Sequence, residues 1–191
     1  MSFLPFLQQF LRFPALTGAI APSSRRLADA MVLLADLGPT SRIVEFGPGT
    51  GVITEAILQH LPGSALFFSI EINPIFIELT QKRCPGVTIY HDSAENAKQY
   101  LLAHGTEQCD VILCGLPWAA FSDELHERLL GVIDDILAPG GRFLTFAYLQ
   151  GLLLPAGYKF RKKLRSRFSC LATSRIVWRN LPPAFIYIAQ K

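Results

Sequence analysis

Residues 43 to 51 read Ile-Val-Glu-Phe-Gly-Pro-Gly-Thr-Gly, and a helical pattern begins at Val52. A short apolar strand thus delivers an acid, Glu45, and then three glycines at alternate positions. Alternate glycines remove side chains where the backbone must turn sharply, and they leave amide N–H groups at a helix start facing whatever binds there. A tight strand-to-helix connection has the same composition. The dinucleotide fingerprint G-x-G-x-x-G needs glycine at position 52, where this chain has valine, so a pyrophosphate-binding loop is disfavoured. A nucleotide-type ligand of another kind is the reading that remains.

Beyond the loop the chain alternates regularly. Strand patterns at 42–46, 65–70, 87–90, 110–114 and 142–148 are separated by helical patterns at 52–61, 74–83, 94–103 and 122–137, with Pro139-Gly140-Gly141 as the turn after the last helix. Such alternation predicts a parallel sheet with helices on both faces. Two further strands, 169–178 and 184–189, predict an antiparallel hairpin at one edge, making a seven-stranded, doubly wound α/β sheet. Ser23 and Ser24 cap an earlier helix carrying Leu27, Met31, Leu34 and Ala35. With 191 residues and no linker or repeat, the expectation is one domain, 1–191.

Charge is unevenly placed. Residues 1–135 hold eight Lys/Arg against fifteen Asp/Glu, whereas 136–191 hold ten Lys/Arg and no acid. An acid-free third of the chain points to an anionic partner, lipid head groups or RNA. At 159–168 Lys159, Arg161, Lys162, Lys163, Arg165 and Arg167 surround an apolar stripe of Phe160, Leu164 and Phe168, which suits an anionic membrane surface or a sheet-covering helix. At the other end Phe3, Phe6, Phe10 and Phe13, with Leu4, Leu7 and Leu11, form one half of a helical wheel. This N-terminal extension, 1–22, lacks a basic leader and is interrupted by Arg12, so it reads as core or as an interfacial helix rather than a signal peptide. No run of eighteen uninterrupted apolar residues predicts a membrane span. The four cysteines show neither zinc nor disulfide spacing, so a reducing cytoplasm is expected and no metal. The four histidines share no spacing and are assigned no role.

In an open α/β sheet, ligands sit beyond the carboxyl ends of the strands. Glu71 ends the second strand, where a carboxylate can accept from both ribose hydroxyls. Asp92 comes after the third, where it can accept from an adenine amino group or cap the next helix. Gly115-Leu116-Pro117-Trp118 comes after the fourth, where a reacting group should emerge.

Glu45-x-Gly47-x-Gly49-x-Gly51 resembles motif I of S-adenosylmethionine (SAM) methyltransferases. The Gly115–Trp118 loop resembles the Asn-Leu-Pro-Tyr loop of adenine N6-methyltransferases, with glycine in place of the asparagine that orients a base. Taken with Gly18–Ser24 and Glu71-Ile72-Asn73, the whole chain resembles the small bacterial phospholipid N-methyltransferases, relatives of the rRNA adenine dimethyltransferases without their extra helical domain. The resemblance implies a Rossmann-like methyltransferase sheet and SAM as cofactor, with S-adenosylhomocysteine as product. It implies cofactor contacts at Glu45, Gly47, Gly49, Thr50, Gly51, Glu71, Ile72, Asp92, Ser93 and Gly115, with Ser23 or Ser24 near the amino-acid end. The acceptor would meet Gly115, Leu116, Pro117, Trp118 and Tyr148. The two aromatic faces are expected to hold a methylated ammonium by cation–π contact, and Phe121 and Trp178 are expected to be packing. Arg179 or the 159–167 cluster would meet the lipid phosphate. The implied acceptor is phosphatidylethanolamine and its mono- and dimethyl forms, met at the inner face of the cytoplasmic membrane. Ornithine lipid, an rRNA adenine, and a non-catalytic membrane-binding module are the rival readings.

Overall fold

A computed structural model describes residues 23–39, 41–61 and 63–191. The expectations for Phe3, Phe6, Phe10 and Phe13 lie outside those residues. The elements are α1 (Arg25–Ala35), β1 (Arg42–Phe46), α2 (Val52–His60), β2 (Leu66–Glu71), α3 (Pro74–Arg83), β3 (Ile89–His91), α4 (Ala97–Ala103), β4 (Cys109–Cys114), α5 (Asp123–Ile136), β5 (Leu137–Tyr148), α6 (Pro155–Arg167), β6 (Cys170–Thr173) and β7 (Ala184–Gln190). Short 3₁₀ turns at Ala94–Asn96, Trp118–Ala120 and Leu149–Leu153 precede α4, α5 and α6.

The strands form one sheet in the order β3-β2-β1-β4-β5-β7-β6. β1 to β5 are parallel, and β7 runs antiparallel between β5 and β6. The chain reverses its direction of build on passing from β3 to β4, which lies on the other side of β1. That switch point opens a crevice at the carboxyl ends of β1 and β4.

Why these strands are buried on both faces is legible in their alternation. Val44, Ile112, Phe143 and Tyr187 point into a core layer with α4, α5 and α6. Ile43, Val111, Leu113, Leu144 and Ile186 point into a second layer with α1 and α2. Ser24 caps α1 as expected, its Oγ accepting from the Leu27 N–H at 3.2 Å, and its own N–H donates to Oδ1 of the buried Asn180 at 2.8 Å.

Three expectations need correction. Pro139-Gly140-Gly141 does not separate a helix from a strand, because β5 already begins at Leu137. The irregularity is absorbed as a register shift, Cys109 pairing Leu137 and Val111 pairing Arg142. The strand expected at 169–178 is shorter, Cys170–Thr173, with a single further bridge from Val177 to Ala184. The stripe of α6 is core: Phe160, Leu164 and Phe168 are all buried. Three of its six cations are also occupied, Lys159 and Lys163 with Asp123, and Lys163 and Arg167 with Glu127. The acidic face of α5 holds them, so α6 is a sheet-covering helix with only part of its charge free.

Candidate active site

The crevice is a cleft open to solvent at the carboxyl ends of the strands. It is lined by Gly47 and Gly49 after β1, Glu71 and Ile72 at the end of β2, Asp92 and Ser93 after β3, and Gly115, Leu116 and Pro117 after β4. Phe76 of α3 and Leu125 and Leu129 of α5 complete its apolar walls.

Its floor exists because of backbone conformations that favour glycine. Gly47, Gly49 and Gly51 have φ of 68°, 60° and 79°, the left-handed region where a Cβ is strained. Space matters as well as conformation. A Cβ on Gly115 would lie 2.5 Å from the Gly47 carbonyl oxygen, and one on Gly47 would lie 2.8 Å from Cδ2 of Leu116. The loop after β4 is therefore seated directly on the loop after β1, and position 115 has no room here for an asparagine. A Cβ on Gly51 would press on Thr80 at 3.1 Å. The same Thr80 donates its hydroxyl to the Gly49 carbonyl at 2.9 Å, and Arg83 Nε donates to the Thr50 carbonyl at 2.8 Å. Thr80 and Arg83 anchor the glycine loop from α3, a role that no local motif announces.

Two glutamates do different work. Glu71 accepts from the Gly49 N–H at 3.3 Å through Oε2 and from the Asn73 N–H at 2.9 Å through Oε1. Each oxygen keeps acceptor capacity toward the cleft. Burial raises its pKa, against the opposing pull of the Asn73, Gly49 and Ile72 amides. Glu45 does not line the cleft. It is fully buried beneath the loop, where its Oε2 accepts from Thr54 at 2.8 Å and Ser69 at 2.7 Å, tying β1 to α2 and β2. Its Oε1 has no partner among the described residues. Burial pushes its pKa up to about 7, with the two hydroxyls opposing and the charge of Glu71 adding to the rise.

Asp92 lines the cleft, but its carboxylate is already well supplied. Oδ1 accepts from the Ser93 N–H at 2.7 Å and Asn96 Nδ2 at 2.9 Å, and Oδ2 from Gln99 Nε2 at 2.9 Å and Tyr100 Oη at 2.7 Å. Burial opposes its ionisation, yet these donors outweigh it and hold the pKa below the usual value. Asp92 is thus chiefly an organiser of the turn into α4. Ser93 beside it caps that turn, accepting from the Glu95 N–H at 3.2 Å.

The other expected residues divide clearly. Ser24 is spent on α1, and Ser23, Thr50 and Gly51 are not among the cleft-lining residues. Trp118 turns away from the cleft: it is buried, its ring stacks on Phe160 with centroids 4.7 Å apart, and its Nε1 donates to Thr145 Oγ1 at 3.1 Å. Tyr148 packs edge-on against Phe146 at 5.8 Å and on the α1 side of the sheet, where burial raises its pKa. Neither residue is among those that line the cleft. Arg179 is exposed in the turn before β7.

His126, to which spacing assigns nothing, proves to be part of the site's frame. Its Nε2 donates to the Trp118 carbonyl at 2.6 Å, while its buried Nδ1 has no partner among the described residues. Donation to a carbonyl requires the proton on Nε2, and burial keeps the ring neutral by lowering its pKa. Thr145 Oγ1 donates in turn to the Cys114 carbonyl at 3.1 Å. The acceptor loop is held at both ends by buried hydrogen bonds.

A doubly wound sheet with an antiparallel β7, a glycine-floored cleft at the switch point and a ribose-height carboxylate defines a nucleotide-cofactor transferase of the methyltransferase architecture. Residues 43–141 match the methyltransferase domain family, and the chain belongs to that family as a SAM-dependent methyltransferase. Over 98% of its length, and 95% of the relative's, it is 29% identical to the ornithine lipid N-methyltransferase of Singulisphaera acidiphila. Its fold is similar to that of TrmN from Thermus thermophilus, with a TM-score of 0.63 and 19% identity over 94% of this chain and 52% of that one. It is similar too to magnesium protoporphyrin IX methyltransferase from Synechocystis, solved with SAM bound, with a TM-score of 0.64 and 15% identity over 87% of this chain and 79% of that one.

The residues present fit the cofactor. The Gly49 position offers open space, with nothing within 4 Å of where a Cβ would stand. Glu71 supplies acceptors for a ribose, and Ile72, Phe76, Ala94 and Leu129 give apolar walls for a flat base.

Proposed function

We propose that this chain methylates the amine of a membrane-lipid head group. The observation that carries the reading is the end-to-end likeness to a relative named for ornithine lipid N-methylation. The site supports it by what the acceptor loop lacks. Gly115 cannot carry an amide against Gly47, and Leu116 and Pro117 add only apolar surface beside the cofactor cleft. A nucleobase would find no side-chain partner in that loop, whereas an amine on a flexible tether needs alignment more than edge recognition.

SAM, when bound, supplies a methyl group already activated on a sulfonium. The chain's own contribution is to hold, orient and dry the site. Glu71 and the glycine-loop amides fix the cofactor's position on the strand ends. Leu116 and Pro117 line the amine's approach with apolar surface, which disfavours its charged form and favours the neutral, nucleophilic one. Among the described cleft residues the carboxyl groups are Glu71 and Asp92, both held by other donors on the cofactor side. Desolvation of the amine favours loss of its proton before attack, without calling on these two carboxylates.

Ornithine lipid is the first acceptor under this reading, because of the relative, and phosphatidylethanolamine with its mono- and dimethyl forms is the second. Both present a bilayer-tethered amine. Mass spectrometry after incubation with SAM and vesicles of either lipid separates them. Stepwise addition of one to three methyl groups to the ornithine head group is expected. Addition to phosphatidylethanolamine alone would reverse the order, and no addition to either would sink the reading. A lipid acceptor would be met, under this reading, at the inner face of the cytoplasmic membrane; no described helix is long and apolar enough to cross one.

A further inference from the structure

The most exposed large apolar side chains of the C-terminal third gather in two short segments. Leu152, Leu153, Leu154 and Tyr158 are 42, 88, 53 and 70% exposed, and Trp178 and Leu181 are 68 and 72% exposed. The first segment leaves the carboxyl end of β5, and the second enters the amino end of β7. These ends are paired, Tyr148 with Ala184, and the Leu149 N–H donates to the Pro183 carbonyl at 2.8 Å. Both segments therefore project from the edge of the sheet that carries the cofactor cleft. Trp178, expected to be packing, is instead out in solvent.

Two further observations specify what this surface meets. No acid occurs from Ile136 to Lys191, and Lys162, Arg165, Arg175 and Arg179 make no ion pair among the described residues. Lys159, Lys163 and Arg167 are held by Asp123 and Glu127 of α5, and the four unpaired cations leave the C-terminal third with positive charge to spare. Leucines flanked by tryptophan, tyrosine and basic residues have the composition of an interfacial surface, apolar in the acyl boundary, aromatic at the head groups and cationic toward anionic lipid.

We propose that Leu152–Leu154, Tyr158, Trp178 and Leu181 form a bilayer-docking lip by which the protein lies on an anionic membrane with its cleft edge toward the lipid. The lip is coupled to the acceptor loop, since Phe160 of α6, two residues beyond Tyr158, carries the stacked ring of Trp118. This assignment replaces the α6 stripe, which is core, as the apolar element of docking. It rests on the lipid-amine reading for its orientation, but its test does not depend on turnover.

The test is sedimentation of the full chain with phosphatidylglycerol vesicles and with phosphatidylcholine vesicles, comparing wild type with Leu153→Ser/Leu181→Ser and with Arg175→Glu/Arg179→Glu. S-adenosylhomocysteine binding by each variant reports that the fold is intact. The lip predicts at least a tenfold loss of phosphatidylglycerol partitioning for both variants, and weaker binding to phosphatidylcholine for the wild type. Unchanged sedimentation of the serine variant overturns it. So does a wild type that ignores vesicles but self-associates in a way that the serine variant abolishes, which would give the surface to a second copy of the chain. If wild type binds vesicles through the lip but methylates neither lipid, the lip stands and the acceptor reading falls.

Discussion

At the scale of single residues, two glycines separate space from conformation. Gly49 needs only its positive φ, so Gly49→Ala should cost about 1–2 kcal/mol of stability. Gly115 needs room, because its Cβ would strike the Gly47 carbonyl oxygen. Gly115→Ala should push the two cleft loops apart, weakening S-adenosylhomocysteine binding at least tenfold by calorimetry. Equal binding would mean that the loops are not seated as described. Glu45 carries a prediction in pH. Its folded pKa of about 7 lies above the ordinary carboxyl value, so the native state binds the proton more tightly than the unfolded chain. Stability from this group is present at low pH and lost as pH rises from about 4.5 to 7, by roughly 3 kcal/mol. Buried His126 has the opposite sign, losing stability as pH falls below its ordinary pKa. The measurement is therefore a difference: denaturant unfolding of wild type minus Glu45→Gln, which should decline across that window. A flat difference would contradict the assignment.

At the scale of elements, the strands and their ligand-bearing ends were legible because they depend on local pattern. The β1 limits 42–46 and the α3 limits 74–83 coincide with expectation, since a β-branched and aromatic run and a proline after an Asn cap are read from a few neighbours. Trp118 was not legible. Whether a tryptophan after a strand-end loop faces a cleft or the core depends on α6, some forty residues later, whose Phe160 receives it. The pairing of α6 with Asp123 and Glu127 of α5 is equally remote in sequence. Asp92 lies where expected, yet its occupancy by Gln99 and Tyr100 depends on how α4 packs. The placement of Trp118 predicts that Trp118→Ala loses about 3–5 kcal/mol by thermal or denaturant unfolding, while Trp118→Phe keeps the stack and most of the stability. A Trp118→Phe enzyme with unchanged Tm and a strongly raised acceptor KM would instead make the ring a head-group contact.

At the scale of the molecule, the sheet order places two unlike surfaces on one edge. The parallel half carries the glycine loop, Glu71 and the acceptor loop, and the antiparallel half carries an acid-free apolar lip. The family assignment and the cofactor follow from the first half. The acceptor depends on how both act together, because a lipid amine must reach the Gly115–Pro117 loop from a bilayer. The most direct test gives purified protein methyl-labelled SAM together with vesicles containing ornithine lipid or phosphatidylethanolamine, or with deproteinised rRNA. Label in the lipid fraction, and none in RNA, is the predicted result. Label in RNA alone would contradict the account.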